Sequence, residues 1–114
     1  AYTHRFGGAN VTQADALDID TTNTEANLYG DLRNLSSVIQ DYTYDCIIIT
    51  HTINIIDDVQ AALAECHRIL KPGGVLLLTV PGFIGPVIEL DKSFWRFNLN
   101  NTRYLLALCD WDDA

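Results

Sequence analysis

At 114 residues, with 48% hydrophobic and 19% charged residues, the chain has the length and balance of one globular domain. Its formal net charge of -8 argues against a nucleic-acid backbone or an anionic membrane as the main partner, and no apolar run approaches the ~20 residues of a membrane span. Cys46, Cys66 and Cys109, an odd count without CxxC spacing, predict buried, reduced thiols in a cytoplasmic protein. His4, His51 and His67 share no ligand spacing with each other or with the cysteines, so no metal site is expected.

Residues 1–10 are polar and aromatic, with Gly7-Gly8 as a turn signal. A first strand is predicted over 11–15, reaching toward Asp20, on the apolar content of Val11, Leu17 and Ile19. A turn-rich linker, TTNTE, leads to a short second strand over 26–30. Leu32, Leu35, Val38 and Ile39 then predict a short helix or helical turns with Asp31 as the cap.

The clearest pattern spans residues 44–81. Cys46, Ile47, Ile48 and Ile49 form a short apolar run, as does the stretch from Val75 to Val80, and both are expected to be parallel strands buried on two faces. Between them Val59, Ala62, Leu63, Cys66, Ile69 and Leu70 recur at helical spacing. Asp57 and Asp58 suit the start of that helix, and Arg68 and Lys71 suit its end. Pro72-Gly73-Gly74 predicts a turn back into the second strand. The unit is a βαβ crossover. Beyond Pro81 the chain reads as loop. SFWRFN then clusters aromatics around Arg96, and a last helix is predicted with Asn100 or Asn101 as cap and Tyr104, Leu105 and Leu108 on one face.

This order predicts an α/β fold with a mainly parallel sheet, in which ligands bind beyond the carboxyl ends of the strands. The residues there are 15–20, Asp31, 50–54 and 81–83. Asp15, Asp18 or Asp20 could accept from a ribose diol, although a solvated acidic loop is the commoner reason for such residues. Asp31 could accept from an adenine amino group or cap a helix. His51 could act as a general base, or only bond a ligand or the loop backbone. Trp95 and Phe97 could form a lid over a substrate or pack in the core. Gly73-Gly74, at the amino end of its strand, reads as a turn rather than a phosphate cradle. No Ser-His-Asp set, paired-carboxylate spacing or P-loop is present.

YDCIIIT, DDVQAAL and HRILKPGGVLL together resemble the second half of a class I S-adenosylmethionine-dependent methyltransferase, with a partial Rossmann-like fold. VTQAD and YGDL are similar to that family's second- and third-strand segments, and SFWRFN to a WRFT-like stretch of bacterial members found with glycosyltransferase genes. The resemblance covers roughly residues 6–106. It implies S-adenosylmethionine as cofactor and a small-molecule or sugar methyl acceptor. It assigns Asp15 to the ribose, with Asp18 and Asp20 as fallbacks, and Asp31 to the adenine with Leu32 beside it. Thr50 and His51 would face the methionine part and the acceptor, with His51 as the candidate catalytic residue.

The family's first strand and its glycine-rich turn should precede Val11, and RFGG is not that motif. The chain also has no methionine, so a piece of a longer protein is expected. Weak or absent cofactor binding by this chain alone is expected too. The missing strand lies mid-sheet in the family, so either the strands after Val11 and Tyr44 pair directly or another chain, such as a second copy, completes the sheet. The rival expectation is an inactive, methyltransferase-derived interaction or assembly module. A nicotinamide-nucleotide domain is a weaker rival, since its G-x-G-x-x-G turn is absent.

Overall fold

The computed structural model describes residues 7–80, 95 and 97–111. The elements are β1 (Leu17–Asp18), β2 (Leu28–Tyr29), β3 (Tyr44–Thr50), α1 (Val59–Ile69), β4 (Leu70–Thr79) and α2 (Leu99–Leu108). Short 3-10 turns occupy Gly8–Asn10 and Ile53–Ile55.

The β3-α1-β4 unit is the expected crossover. β3 and β4 pair in parallel from Cys46 opposite Val75 to Thr50 opposite Thr79. Asp58 starts α1, its carboxylate accepting from the Ala61 amide at 3.1 Å. Val59, Ala62, Leu63, Cys66 and Ile69 are all buried, so the apolar stripe faces inward as its spacing predicts. At the far end, the carbonyls of Arg68 and Ile69 accept from the amides of Tyr42 (3.0 Å) and Thr43 (2.8 Å). The chain entering β3 thereby satisfies carbonyls that the helix end leaves open.

The Lys-Pro-Gly-Gly stretch behaves differently from a separating turn. β4 begins at Leu70, directly after the helix, and the four residues bulge within it: β3 advances from Tyr44 to Cys46 while β4 advances from Leu70 to Val75. Gly73 sits at φ +81, and a Cβ on Gly74 would lie 2.8 Å from the Lys71 carbonyl oxygen and 3.2 Å from that of Asp45. Backbone oxygens cannot swing aside. Gly74→Ala should therefore destabilise the protein by about 1–3 kcal/mol, the usual range for overpacking. Gly73→Ala, with open space around it but a left-handed backbone, should cost about 1–2 kcal/mol. Urea denaturation midpoints with unchanged slopes would report both.

The strands are not buried on both faces. Ile47, Ile49, Leu76, Leu78 and Val80 point into the core that α1 covers, whereas Cys46 is exposed and Val75 and Leu77 are about half exposed. The alternation follows from the period of two. No described element covers the second face. Cys66 is fully buried and Cys109 half-buried, so Cys46 is the thiol that departs from expectation.

β1 begins at Leu17, later than predicted, and pairs in parallel with β2, Leu17 opposite Leu28 and Asp18 opposite Tyr29. It does not pair with β3: the described residues form two separate two-stranded sheets. Direct pairing of the strands after Val11 and Tyr44 is thus not observed. The 31–40 segment forms turns, with Leu35 and Ile39 buried against Ile69 and Val38 left exposed. Glu65 and Arg68 hold it to α1. The Glu65 carboxylate accepts from the Leu35 amide, and Arg68 donates to Glu65 (2.9 Å), Asp41 (2.8 Å) and the Ile39 carbonyl (2.9 Å).

In α2 the cap is Asn98, not Asn100 or Asn101. Its side chain accepts from the Asn101 amide (2.8 Å) while the Asn101 side chain accepts from the Asn98 amide (2.9 Å). The inward face carries Leu105, Leu106 and Cys109, while Tyr104 and Leu108 are exposed. Residues 105, 106 and 109 fit a helical stripe as well as 104, 105 and 108 do, and packing selects between them.

Candidate functional site

The carboxyl end of β1 carries Asp18 and, just beyond, Asp20. Asp18 accepts from the Asp20 amide (2.9 Å) and the Asn23 amide nitrogen (2.8 Å), and Asp20 from the Thr22 amide (2.9 Å) and hydroxyl (2.6 Å). These bonds, led by Asn23 for Asp18 and by Thr22 for Asp20, hold both carboxyls below their ordinary range. The Gly30 amide donates to the Asp18 carbonyl at 3.1 Å. That bond sets Asp31, next after Gly30, at the same edge.

Asp31 is gripped by Arg33. Its Oδ1 accepts from the Arg33 amide (2.9 Å) and Nε (3.0 Å), and its Oδ2 from Nη2 (2.6 Å) and Nε (3.1 Å). The guanidinium holds the Asp31 carboxyl down at about 2. Arg33 Nη1 also donates to Asp57 Oδ1 at 2.7 Å, and the Asp58 amide donates to the same oxygen at 2.7 Å. One side chain therefore ties the loop after β2 to the loop between β3 and α1. Leu32, next to Asp31, packs against both core clusters.

Thr50 ends β3 opposite Thr79, and its carbonyl accepts from the Thr52 hydroxyl at 2.9 Å. His51 follows in a left-handed conformation, φ 50, its amide donating to the Thr79 carbonyl at 2.9 Å. That φ is uncommon for a residue with a Cβ and turns the chain out of the strand into the 51–58 loop. The His51 side chain is exposed, and no hydrogen bond or ion pair among the described residues orients its ring.

Asp15 lies elsewhere. It precedes β1, and its carboxylate accepts from the Tyr44 hydroxyl (2.5 Å) and the Asn27 amide nitrogen (2.8 Å). Asp15 thus bonds the side chain of Tyr44, which opens β3 about 20 Å before Thr50 at ~3.3 Å per residue. The structure brings Asp18, Asp20, Asp31 and Leu32 to the strand-end edge and leaves Asp15 at the opposite one. The cause is register: the strand starts later than the apolar residues suggested, which moves the terminal acid from Asp15 to Asp18.

Asp15 is instead a clamp between β1 and β3. Its bonds, led by that from Tyr44, hold its carboxyl below the ordinary value. A lowered folded-state value means stability is present above the ordinary carboxylate range and lost as pH falls through the lowered value. Tyr44→Phe should cost about 0.5–1.5 kcal/mol at neutral pH. The gap from the parent protein should narrow in acid, as read by urea unfolding at a series of pH values.

Arg33 is the residue that sequence reasoning missed. Its partner Asp31 is two positions away, but Asp57 is far along the chain, and only folding joins them. Trp95 was similarly ambiguous. It straps the 53–56 turn, its amide donating to the Asn54 carbonyl (3.2 Å) and its indole to the Ile56 carbonyl (2.7 Å). Phe97 is a core residue, packed with Ile49, Ile53, Val59, Leu63 and Cys66. Strand-end candidates at 81–83, and Arg96, lie outside the described residues. Among the described residues no helix is long and apolar enough to cross a membrane, and no group of three or more His, Cys, Asp or Glu side chains could hold a metal ion.

Comparison with known proteins gives this edge a context. A malonyl-acyl-carrier protein O-methyltransferase of Alcanivorax borkumensis is 43% identical over 58 residues, covering 50% of this chain and 20% of that protein. The ubiquinone/menaquinone biosynthesis C-methyltransferase UbiE of an Enterobacter species is 44% identical over 61 residues, 53% of this chain and 24% of its own length. That of Pasteurella multocida is 40% identical over 62 residues, 52% and 22%. The aligned stretch is thus only about a fifth to a quarter of each relative. No solved structure matches. The family described as "Methyltransferase domain" matches residues 2–78, from before β1 to the last residue but one of β4, and the chain belongs to it, with the α/β arrangement of a partial Rossmann-like class I S-adenosylmethionine-dependent methyltransferase.

Proposed function

We propose that this chain supplies the strand-end edge of an S-adenosylmethionine site, in a protein that transfers a methyl group to a small molecule or sugar. The observation that carries the reading is the Arg33 bridge. It holds the acid-bearing end of β2 and the loop after β3 at one edge, where an α/β sheet binds its ligand. The residues fit the cofactor's nucleoside. Asp18 or Asp20 would accept from the ribose hydroxyls and Asp31 from the adenine amino group, with Leu32 giving an apolar contact. Thr50 and His51 would meet the methionine part. Bound there, the cofactor supplies an electrophilic methyl group. The chain's own contribution is to fix the acceptor in line with it, with His51 bonding the acceptor or taking its proton. β1 and β3 lie in separate sheets, and a further strand, from the same chain or a second copy, would join them.

Titration of the full chain with S-adenosylmethionine and S-adenosylhomocysteine, followed by amide chemical shifts, tests this. Weak, submillimolar binding that perturbs 18–20, 31–33 and 50–52 is expected, and Asp31→Ala should reduce it. Micromolar binding would contradict the expected weakness. Undisturbed spectra at millimolar ligand would instead favour an inactive interaction module, the reading that the half-exposed Val75 and Leu77 face suggests.

A further inference from the structure

If the edge binds an adenine nucleoside, as proposed above, Asp31 must accept from the ligand while already bonded within the protein. Its carboxylate receives three N–H groups: the Arg33 amide, Nη2, and an Nε–H shared between the two oxygens. A carboxylate offers about four lone-pair positions, and the Asp31 side chain is 36% accessible. Capacity for a further donor therefore remains. We infer that Arg33 is a positioning residue for adenine recognition: by bonding Asp31 and Asp57 at once, it fixes the Asp31 carboxylate in one orientation, with an acceptor position left for the exocyclic amino group of the purine.

Two sets of bonds fix the carboxylate. The amide of Arg33, two positions on, donates to Oδ1 and ties the side chain to its own backbone turn. The Nε–Nη2 edge of the guanidinium meets both oxygens, and a planar fork of this kind sets the plane of the carboxylate as well as its place. The fork is itself anchored. Nη1 donates to Asp57 Oδ1, and that oxygen also accepts from the Asp58 amide at the start of α1. The orientation of Asp31 is thus referred to a helix, rather than left to a short side chain that water reaches. A carboxylate ordered before the ligand arrives loses less freedom on binding, and affinity gains by that difference. Arg33 therefore acts through Asp31 and not by touching the ligand.

The test uses the full chain, its Arg33→Gln, Arg33→Lys and Asp31→Ala variants, and Asp31→Ala combined with Arg33→Gln. S-adenosylhomocysteine is the probe, titrated by amide chemical shifts. Arg33→Gln should weaken binding roughly 3- to 5-fold, the range an exposed ion pair can account for. Arg33→Lys keeps the charge without the fork and should lose as much. In the Asp31→Ala background, adding Arg33→Gln should change binding by less than about 2-fold, because the carboxylate it acts through is gone. Without ligand, carboxyl-carbon titration of Arg33→Gln should show Asp31 moving up from about 2 toward the ordinary value. Full affinity in Arg33→Gln or Arg33→Lys, an equal loss in both backgrounds, or an unmoved Asp31 titration would each overturn the positioning role while leaving the methyl-donor reading intact. Absence of binding to the parent chain would overturn the methyl-donor reading, and the positioning role with it.

Discussion

Leu63→Ala is expected to lower the unfolding free energy by about 2–5 kcal/mol. Leu63 is completely buried in α1, at the centre of the cluster of Ile49, Ile53, Val59, Cys66 and Phe97. Truncation removes transferred apolar surface and leaves a cavity that a helix fixed at both ends cannot close. Asp58 pins its start, and the amides of Tyr42 and Thr43 pin its end. Against a typical domain stability of about 5–15 kcal/mol, such a loss is a large fraction. Leu77→Ala is the matched control. Leu77 is 45% exposed on the uncovered face of β4, and its truncation should cost well under half as much. Urea unfolding of the two variants decides the matter: equal losses would mean that the second face is covered in solution.

Phe97→Ala should cost about 3–5 kcal/mol, the range for a buried aromatic, while Trp95→Phe should cost only about 1 kcal/mol for its lost bond to the Ile56 carbonyl. The two residues belong to one aromatic cluster in the sequence, yet Phe97 is 8% exposed and Trp95 43%. Phe97 belongs to the cluster against which the partly buried Leu105 and Leu106 of α2 pack, so its loss should loosen the helix as well as the core. A drop in thermal midpoint for Phe97→Ala no greater than that for Trp95→Phe would contradict this division. It would place the phenyl ring outside the core, where a lid role would return.

Much of the fold was legible because its determinants are local. The stripe from Val59 to Ile69, the capping Asp58 and the β-branched run Ile47-Ile48-Ile49 name a helix and a strand without reference to anything distant. The site was less legible. Asp31 and Leu32 could be placed because Gly30-Asp31 ends a short strand, but Asp15 could not be told from Asp18. A two-residue strand has no periodicity to fix its register, and its position rests on pairing with Leu28 and Tyr29. The burial of β3 and β4 was overread for a related reason. An apolar run is compatible with two covered faces but does not say that a cover exists.

By itself, then, the sequence determined the β3-α1-β4 crossover, the family to which it belongs and the acids from which a nucleoside-binding edge could be drawn, since each is written in contiguous residues or fixed spacings. The tertiary structure alone decided that Asp15 clamps the amino end of β3 and Asp18 ends β1, that Phe97 is core and Trp95 a strap, and that Arg33 spans Asp31 and Asp57. Each of these depends on groups far apart in the chain meeting at hydrogen-bond or van der Waals distance, and no local pattern of residues encodes which distant partner will arrive.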